Sequence, residues 1–160
     1  MKSIQRIYEH KDYQHYLNEI KQMEADRIYC KHDMAHFLDV ARIAWIMCLE
    51  NNIKYDKTWV YACGLLHDIG RGCQYATGEP HEVASARLAK GILEDVGFDE
   101  TAIKVILKAI AGHRNSAASS QEDLEGILYK ADKASRACYT CDAIETCNWR
   151  YEMKNLKIEV

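Results

Sequence analysis

The chain has 160 residues, of which 48% are apolar and 28% charged, with 24 acidic against 21 basic residues and a net charge of −3. That length fits one domain able to bury a core without staples, and the composition is that of a soluble globular protein. The charge balance excludes a broad electrostatic footprint for long nucleic acid, while leaving room for a small phosphorylated ligand held locally by a metal.

No apolar run approaches the roughly 20 residues needed to cross a bilayer. The first ten residues lack the apolar stretch of a signal peptide, so a cytoplasmic chain with no membrane partner is expected. With one proline, Pro80, and apolar residues at helical spacing almost throughout, the chain reads as all-α. Residues 12–29 predict a first helix with Tyr13, Tyr16, Leu17, Ile20 and Met23 on one side. From Met34 to about Leu49 one stripe carries Phe37, Ala41, Trp45 and Cys48, and its neighbour carries His36, Val40, Ile43 and Met47. A helix apolar on so much of its circumference is central. The equally apolar stretch from Thr58 to Asp68 stops at Gly70, and Gly70 to Gly78 reads as a loop leading to Pro80 in a first helical turn. Further helices are expected from about Pro80 to Val96, closed by Gly97, over residues 100–111, and around Leu124, Ile127, Leu128 and Ala131 after a polar connection from Asn115 to Ser120. The organisation expected is one helical domain over residues 1–137 and a cysteine-containing appendage over 138–160.

The dipeptide His67-Asp68 lies among Leu65, Leu66 and Ile69. Burying a carboxylate there costs several kcal/mol, on the order of the effective penalty per ion, unless something compensates it. A hydrogen-bonded pair that locks a helix end and a bound cation are the two ways to do so. Around the pair stand His36, followed four residues on by Val40-Ala41, then His81, His113, and Asp132 in Ala131-Asp132-Lys133. This ordered set, over roughly residues 30 to 137, resembles the HD-domain superfamily of metal-dependent phosphohydrolases.

The resemblance implies a helical bundle of the HD-domain type in which His36, His67, Asp68 and Asp132 bind a first divalent metal. His81 and His113 resemble the additional histidines of two-metal branches, where the Asp of the pair bridges. Imidazole and carboxylate donors suit manganese, iron, zinc or nickel, and water-exposed carboxylate-rich sites drift toward magnesium. In such a site metal-activated water attacks phosphorus, with Asp68 orienting the water. The branch that hydrolyses cyclic dinucleotides carries two adjacent histidines where this chain has His113-Arg114, and no Gly-Tyr-Pro follows. The single histidine is more similar to the branch that hydrolyses diadenosine tetraphosphate. Arg71 and Arg114 directly follow the motifs and are expected beside the metals as phosphate contacts, with Lys133 and Arg136 flanking Asp132. His32, on the same helix face as His36, is expected behind the ligands or on phosphate, and His10 and His15 are expected to face solvent.

Seven cysteines remain. Cys48 and Cys63 sit in apolar helical runs, where a free thiol behaves as a small hydrophobe. Cys138, Cys141 and Cys147 are clustered as Cys-x2-Cys-x5-Cys. A structural zinc or iron–sulfur cluster there needs a fourth ligand, for which Cys73 is one source and a non-protein ligand another; three unrelated thiols are the alternative. The expected activity is hydrolysis of a nucleotide or other small phosphate ester. Diadenosine tetraphosphate hydrolysis and a metal-binding sensor without turnover are the rivals, and the sequence does not fix the oligomeric state.

Overall fold

The computed structural model of the chain describes residues 1–158. Those residues form eight α-helices and no strand: α1 (Lys2–Glu9), α2 (Lys11–Met23), α3 (Met34–Glu50), α4 (Lys57–Leu66), α5 (Arg71–Thr77), α6 (His81–Val96), α7 (Glu100–Gly112) and α8 (Leu124–Ala134). Four of them start at an aspartate that accepts a first-turn backbone N–H. Asp33 takes that of His36 (3.1 Å), Asp56 that of Thr58 (2.7 Å), Asp99 that of Ala102 (2.9 Å) and Asp123 that of Gly126 (3.1 Å). Each such cap contributes about 1 kcal/mol. Gly78 and Gly97 end α5 and α6 at φ of 81° and 89°, the left-handed conformation that costs glycine nothing.

Helices α3, α4, α7 and α8 pack on one another as the central bundle, α6 lies on α7, and α1 covers α4 and α6. The core contains Phe37 and Val40 of α3, Leu65 and Leu66 of α4, Ile92 and Leu93 of α6, Ile106 and Ile110 of α7, and Leu128 of α8, all essentially inaccessible to water. Each of these large side chains contributes roughly 1.5–3 kcal/mol by burial. Cys48 and Cys63 are buried within this core as expected. No helix among the described residues is long and apolar enough to cross a membrane.

Three local expectations are corrected. The helix expected over residues 12–29 is α2, which ends at Met23, and an unforeseen helix, α1, precedes it, the two separated at His10. His10 is not solvent-facing: its Nδ1 accepts the Asp12 N–H at the start of α2 and its Nε2 stands 3.2 Å from Asp95 Oδ2. The segment from Gly70 to Gly78, read as a loop, contains α5. Among the described residues after α8, the helical elements are two short 3-10 turns, at Cys138–Thr140 and Tyr151–Met153.

Candidate metal centre

The helix order brings five chain segments to one end of the bundle. His36 lies in the first turn of α3, His67 and Asp68 at the end of α4, His81 at the first position of α6, His113 just past α7, and Asp132 in the last turns of α8. His67, Asp68, His81 and His113 are fully buried, whereas His36 and Asp132 are partly open to a cleft. Gly70 makes the turn after the pair possible. A Cβ there would lie 2.5 Å from the Ser85 backbone N and 2.6 Å from the His81 backbone O, so only glycine lets this turn reach α6. Its own N–H donates to Ser85 Oγ at 2.9 Å.

Each of the four candidate-ligand imidazoles is anchored through Nδ1. His67 donates from Nδ1 to the Gly64 carbonyl (2.8 Å) and His113 to the Ile110 carbonyl (2.7 Å), each reaching a helix-end carbonyl three residues back. His81 Nδ1 donates to Gln74 Oε1 (2.7 Å), and His36 Nδ1 to Ser135 Oγ (3.2 Å), whose own proton goes to the Asp132 carbonyl. This fixes the tautomer and turns every Nε2 inward as a lone-pair donor. Burial drives the His67 pKa down to about 3 and lowers those of His36 and His81, so the rings are neutral and able to ligate near pH 7.

The inward atoms form two groups, each within 4.8 Å: His36, His67 and Asp132, and Asp68, His81 and His113. In the second, Asp68 Oδ1 lies 3.0 Å from His81 Nε2 and 3.4 Å from His113 Nε2, which are 3.3 Å from each other. Ligand bonds of about 2.1 Å separate neighbouring donors by about 3.0 Å in an octahedron and about 3.4 Å in a tetrahedron. In the first group Asp132 Oδ1 is 3.7 Å from His36 Nε2 and 3.9 Å from His67 Nε2. Asp68 Oδ2 faces the same group, 3.6 Å from His67 Nε2 and 3.9 Å from His36 Nε2. One carboxylate thus presents an oxygen to each group.

The donors fit divalent metal. Nε2 of His36 and His67 and both carboxylate oxygens of Asp68 are buried without a hydrogen-bond partner. Orphaned polar atoms of this kind are costly unless a cation satisfies them. Burial raises the Asp68 carboxyl, but the permanently charged Arg71 guanidinium beside it opposes this and the carboxyl stays well below the usual range, so it is ionised.

Arg71 Nε stands 3.2 Å from Asp68 Oδ2, and Arg114 lies exposed on the cleft rim. Lys133 pairs with Asp132 Oδ2, while Arg136 donates to the Lys133 carbonyl and lies over the Trp149 ring at 4.4 Å. These four cations and Arg27 line a cleft of about 270 Å³ together with His36 and Asp132. His32 also faces in, its Nε2 3.5 Å from Asp68 Oδ2 and its Nδ1 2.5 Å from Glu24 Oε1. Tyr75 donates to the same Glu24 oxygen at 2.5 Å. Burial raises the Glu24 carboxyl, but the hydrogen bonds from His32 and Tyr75 prevail and bring it to about 2.

Sequence reasoning missed Glu24, Gln74, Tyr75 and Ser135. Ser135 was findable, since it follows Asp132 by one helical turn. Gln74 and Tyr75 were hidden by the loop assignment, and nothing local marks Glu24. The cysteine expectation is not supported as stated: no three of the chain's described thiols lie within 4.8 Å of one another. Cys73, offered as the fourth ligand, lies on α5 beside the Arg87 guanidinium (4.0 Å), outside the cavity that Cys138, Cys141 and Cys147 line.

The HD domain family model matches residues 34–137, which hold all six candidate ligands. A protein of Clostridium beijerinckii described as uncharacterized is 43% identical over 147 residues, covering 92% of each chain. Ribonuclease Y of Clostridium kluyveri is 27% identical over 73% of this chain, but the match spans only 25% of that protein; for ribonuclease Y of Clostridium novyi the values are 30%, 68% and 19%. The crystal structure of a predicted HD superfamily hydrolase from an uncultured Thermotogales bacterium superimposes with a TM-score of 0.63 and 25% identity, covering 88% of this chain and 80% of that one. With the family match spanning the bundle that builds the site, the chain belongs to the HD domain family.

Proposed function

We propose that the protein is a metal-dependent phosphohydrolase that uses two divalent ions to hydrolyse a nucleotide or other small phosphate ester. The observation that carries this is Asp68, whose two unpartnered oxygens face two separate histidine groups. His36, His67, Asp132 and Asp68 Oδ2 would hold one ion, and His81, His113 and Asp68 Oδ1 the other. Bound ions of this kind supply Lewis acidity, making water a nucleophile near neutral pH and neutralising phosphoryl charge.

The chain's own groups do the rest. Arg71, Arg114 and Lys133 line the cleft and bind the non-reacting phosphoryl oxygens, the guanidinium groups bidentately. Asp68, kept ionised and presenting one oxygen to each group, orients the attacking water between them. His32, held by Glu24, lines the same cleft beside Asp68. A cleft of about 270 Å³ suits one phosphate ester and its immediate substituent, and the net charge of −3 disfavours long nucleic acid as the partner.

Because His113 is followed by Arg114 rather than by a second histidine, dinucleoside polyphosphates form the second substrate class to consider. The test is metal-stripped protein reloaded with manganese, iron, nickel, zinc or magnesium. It is assayed on mononucleotides, diadenosine tetraphosphate and a short single-stranded RNA, the last because several relatives are named ribonuclease Y. Turnover of the small esters, lost together with bound metal in Asp68→Ala while the helical circular dichroism persists, is the expected result. Full metal content and wild-type rate in that variant would refute the site. Tight stoichiometric metal binding without turnover of any substrate would make the protein a sensor.

A further inference from the structure

We propose that Cys30, Cys138, Cys141 and Cys147 form a separate, structural zinc site that fastens the C-terminal segment to the domain. This does not rest on the phosphohydrolase reading. All seven cysteines are free thiols. Cys48 and Cys63 are absorbed by the core and Cys73 faces Arg87, which leaves four. Although Cys30 precedes α3 and the other three follow α8, all four line one cavity of about 270 Å³. Burial pushes the Cys30 thiol up, Cys138 and Cys141 add to the rise and Arg136 opposes it, so these groups lie within electrostatic reach of one another.

The chemistry of the set is that of zinc. Four thiolates complete a closed tetrahedral site, and a Cys-x2-Cys pair supplies two of them from one turn. Zinc–sulfur bonds of about 2.3 Å set neighbouring sulfurs about 3.8 Å apart. The thiols stand wider than this, since no three lie within 4.8 Å. The four are free to move toward one another: Cys30 is exposed and the other three half-buried, and none sits in a helix of the bundle. Binding would release the thiol protons to solvent and leave a site of charge −2. Lys31, Arg136 and Lys154 line the same cavity and offset that charge.

The segment also needs such a fastening. No residue from 132 to 158 is buried, so this stretch has no apolar core of its own and is held by polar contacts. Tyr29 donates to the Thr146 carbonyl (3.1 Å), Lys154 to the Ile144 carbonyl (3.0 Å), and Asn155 Nδ2 to the Lys133 and Arg136 carbonyls (2.8 and 2.9 Å). Those contacts bring the cysteine-bearing turns against Cys30. Trp149 and Met153 of the segment in turn wall the cleft over His36 and Asp132, so the zinc would set the shape of the substrate's side of the site.

Full-length protein, stripped and reconstituted anaerobically with Co²⁺, tests this. Expected is one equivalent of cobalt, beyond any held by the histidine–aspartate groups, with intense thiolate-to-cobalt charge-transfer and tetrahedral d–d absorption, displaced by zinc. The bands should persist in Asp68→Ala and Cys73→Ser and vanish in Cys30→Ser. Should Cys30→Ser fail to fold, a mercurial titration of wild-type protein as purified reads the same site: one zinc should leave in step with four thiols. Bands that survive Cys30→Ser, no thiolate–cobalt absorption in the wild type, iron with sulfide in the anaerobic protein, or zinc release unlinked to thiol modification would each overturn the proposal.

Discussion

Histidine in this site is controlled at one atom. Nδ1 of His36, His67, His81, His113 and His32 is committed to a hydroxyl, a carbonyl, an amide or a carboxylate, so Nε2 has a single direction in which to act. Because His81 and His113 meet only Asp68 Oδ1, while His36 and His67 meet Asp132 and Asp68 Oδ2, the two groups should lose metal independently. His81→Ala and His113→Ala are each expected to lower bound metal by about one equivalent and leave the other ion in place, as elemental analysis of the purified variants would read; unchanged stoichiometry would point to a single ion. The six candidate ligands were legible in the sequence because few residue types can bind such a metal and their order is constrained. Their supports were not. Glutamine, serine and glutamate occur for many reasons, and Glu24 reaches His32 only through the tertiary fold.

At the scale of elements, the distance between His36 and His67 is set by how closely α3 and α4 approach. A Cβ on Gly64 would stand 2.6 Å from Ala41 Cα and Cβ and 2.7 Å from its backbone N, so the two helices touch backbone to backbone. By helix propensity alone Gly64→Ala should stabilise by about 1 kcal/mol, yet overpacking at a rigid backbone costs typically 1–3 kcal/mol and decides the sign. Gly64→Ala is therefore expected to lower stability in urea melts and weaken metal binding. Gly91→Ala, on the exposed face of α6 with nothing within 4 Å, should stabilise by roughly 0.5–1 kcal/mol. Equal effects from the two would mean that α3 and α4 part freely. The apolar periodicity of α3, α4, α6, α7 and α8 made these helices readable. Helix α5 was obscured by Gly70, Gly72 and Gly78, whose flexibility argues for a loop until tertiary contacts with α2 and α6 decide otherwise. The end of α2 at Met23 was equally hidden, because it is followed by Glu24 turning in to His32 rather than by a glycine or proline.

For the whole molecule, the site is a deliberate weakness in the apo fold that metal converts into strength. Asp68 is buried with neither oxygen hydrogen-bonded and with the Arg71 guanidinium, 3.2 Å from Oδ2, offsetting its charge, and buried polar atoms left without hydrogen bonds cost about 1–3 kcal/mol each. Ions that bind only the folded chain add roughly 2.7 kcal/mol at a hundredfold excess over the dissociation constant, and about 2–4 °C of melting temperature accompanies each kcal/mol at this size. Thermal melts of wild-type protein should accordingly rise by roughly 5–10 °C between chelator and saturating manganese or zinc. Asp68→Ala should show little of that shift and should melt, in chelator, at or above the stripped wild type, because it removes two buried oxygens that lack hydrogen bonds and frees Arg71, which is partly exposed, to turn to solvent. A variant that instead melts far below the stripped wild type would make Asp68 the anchor of an ion pair with Arg71 that locks the end of α4, and the metal would then be incidental to why this chain buries a carboxylate among Leu65, Leu66 and Ile69.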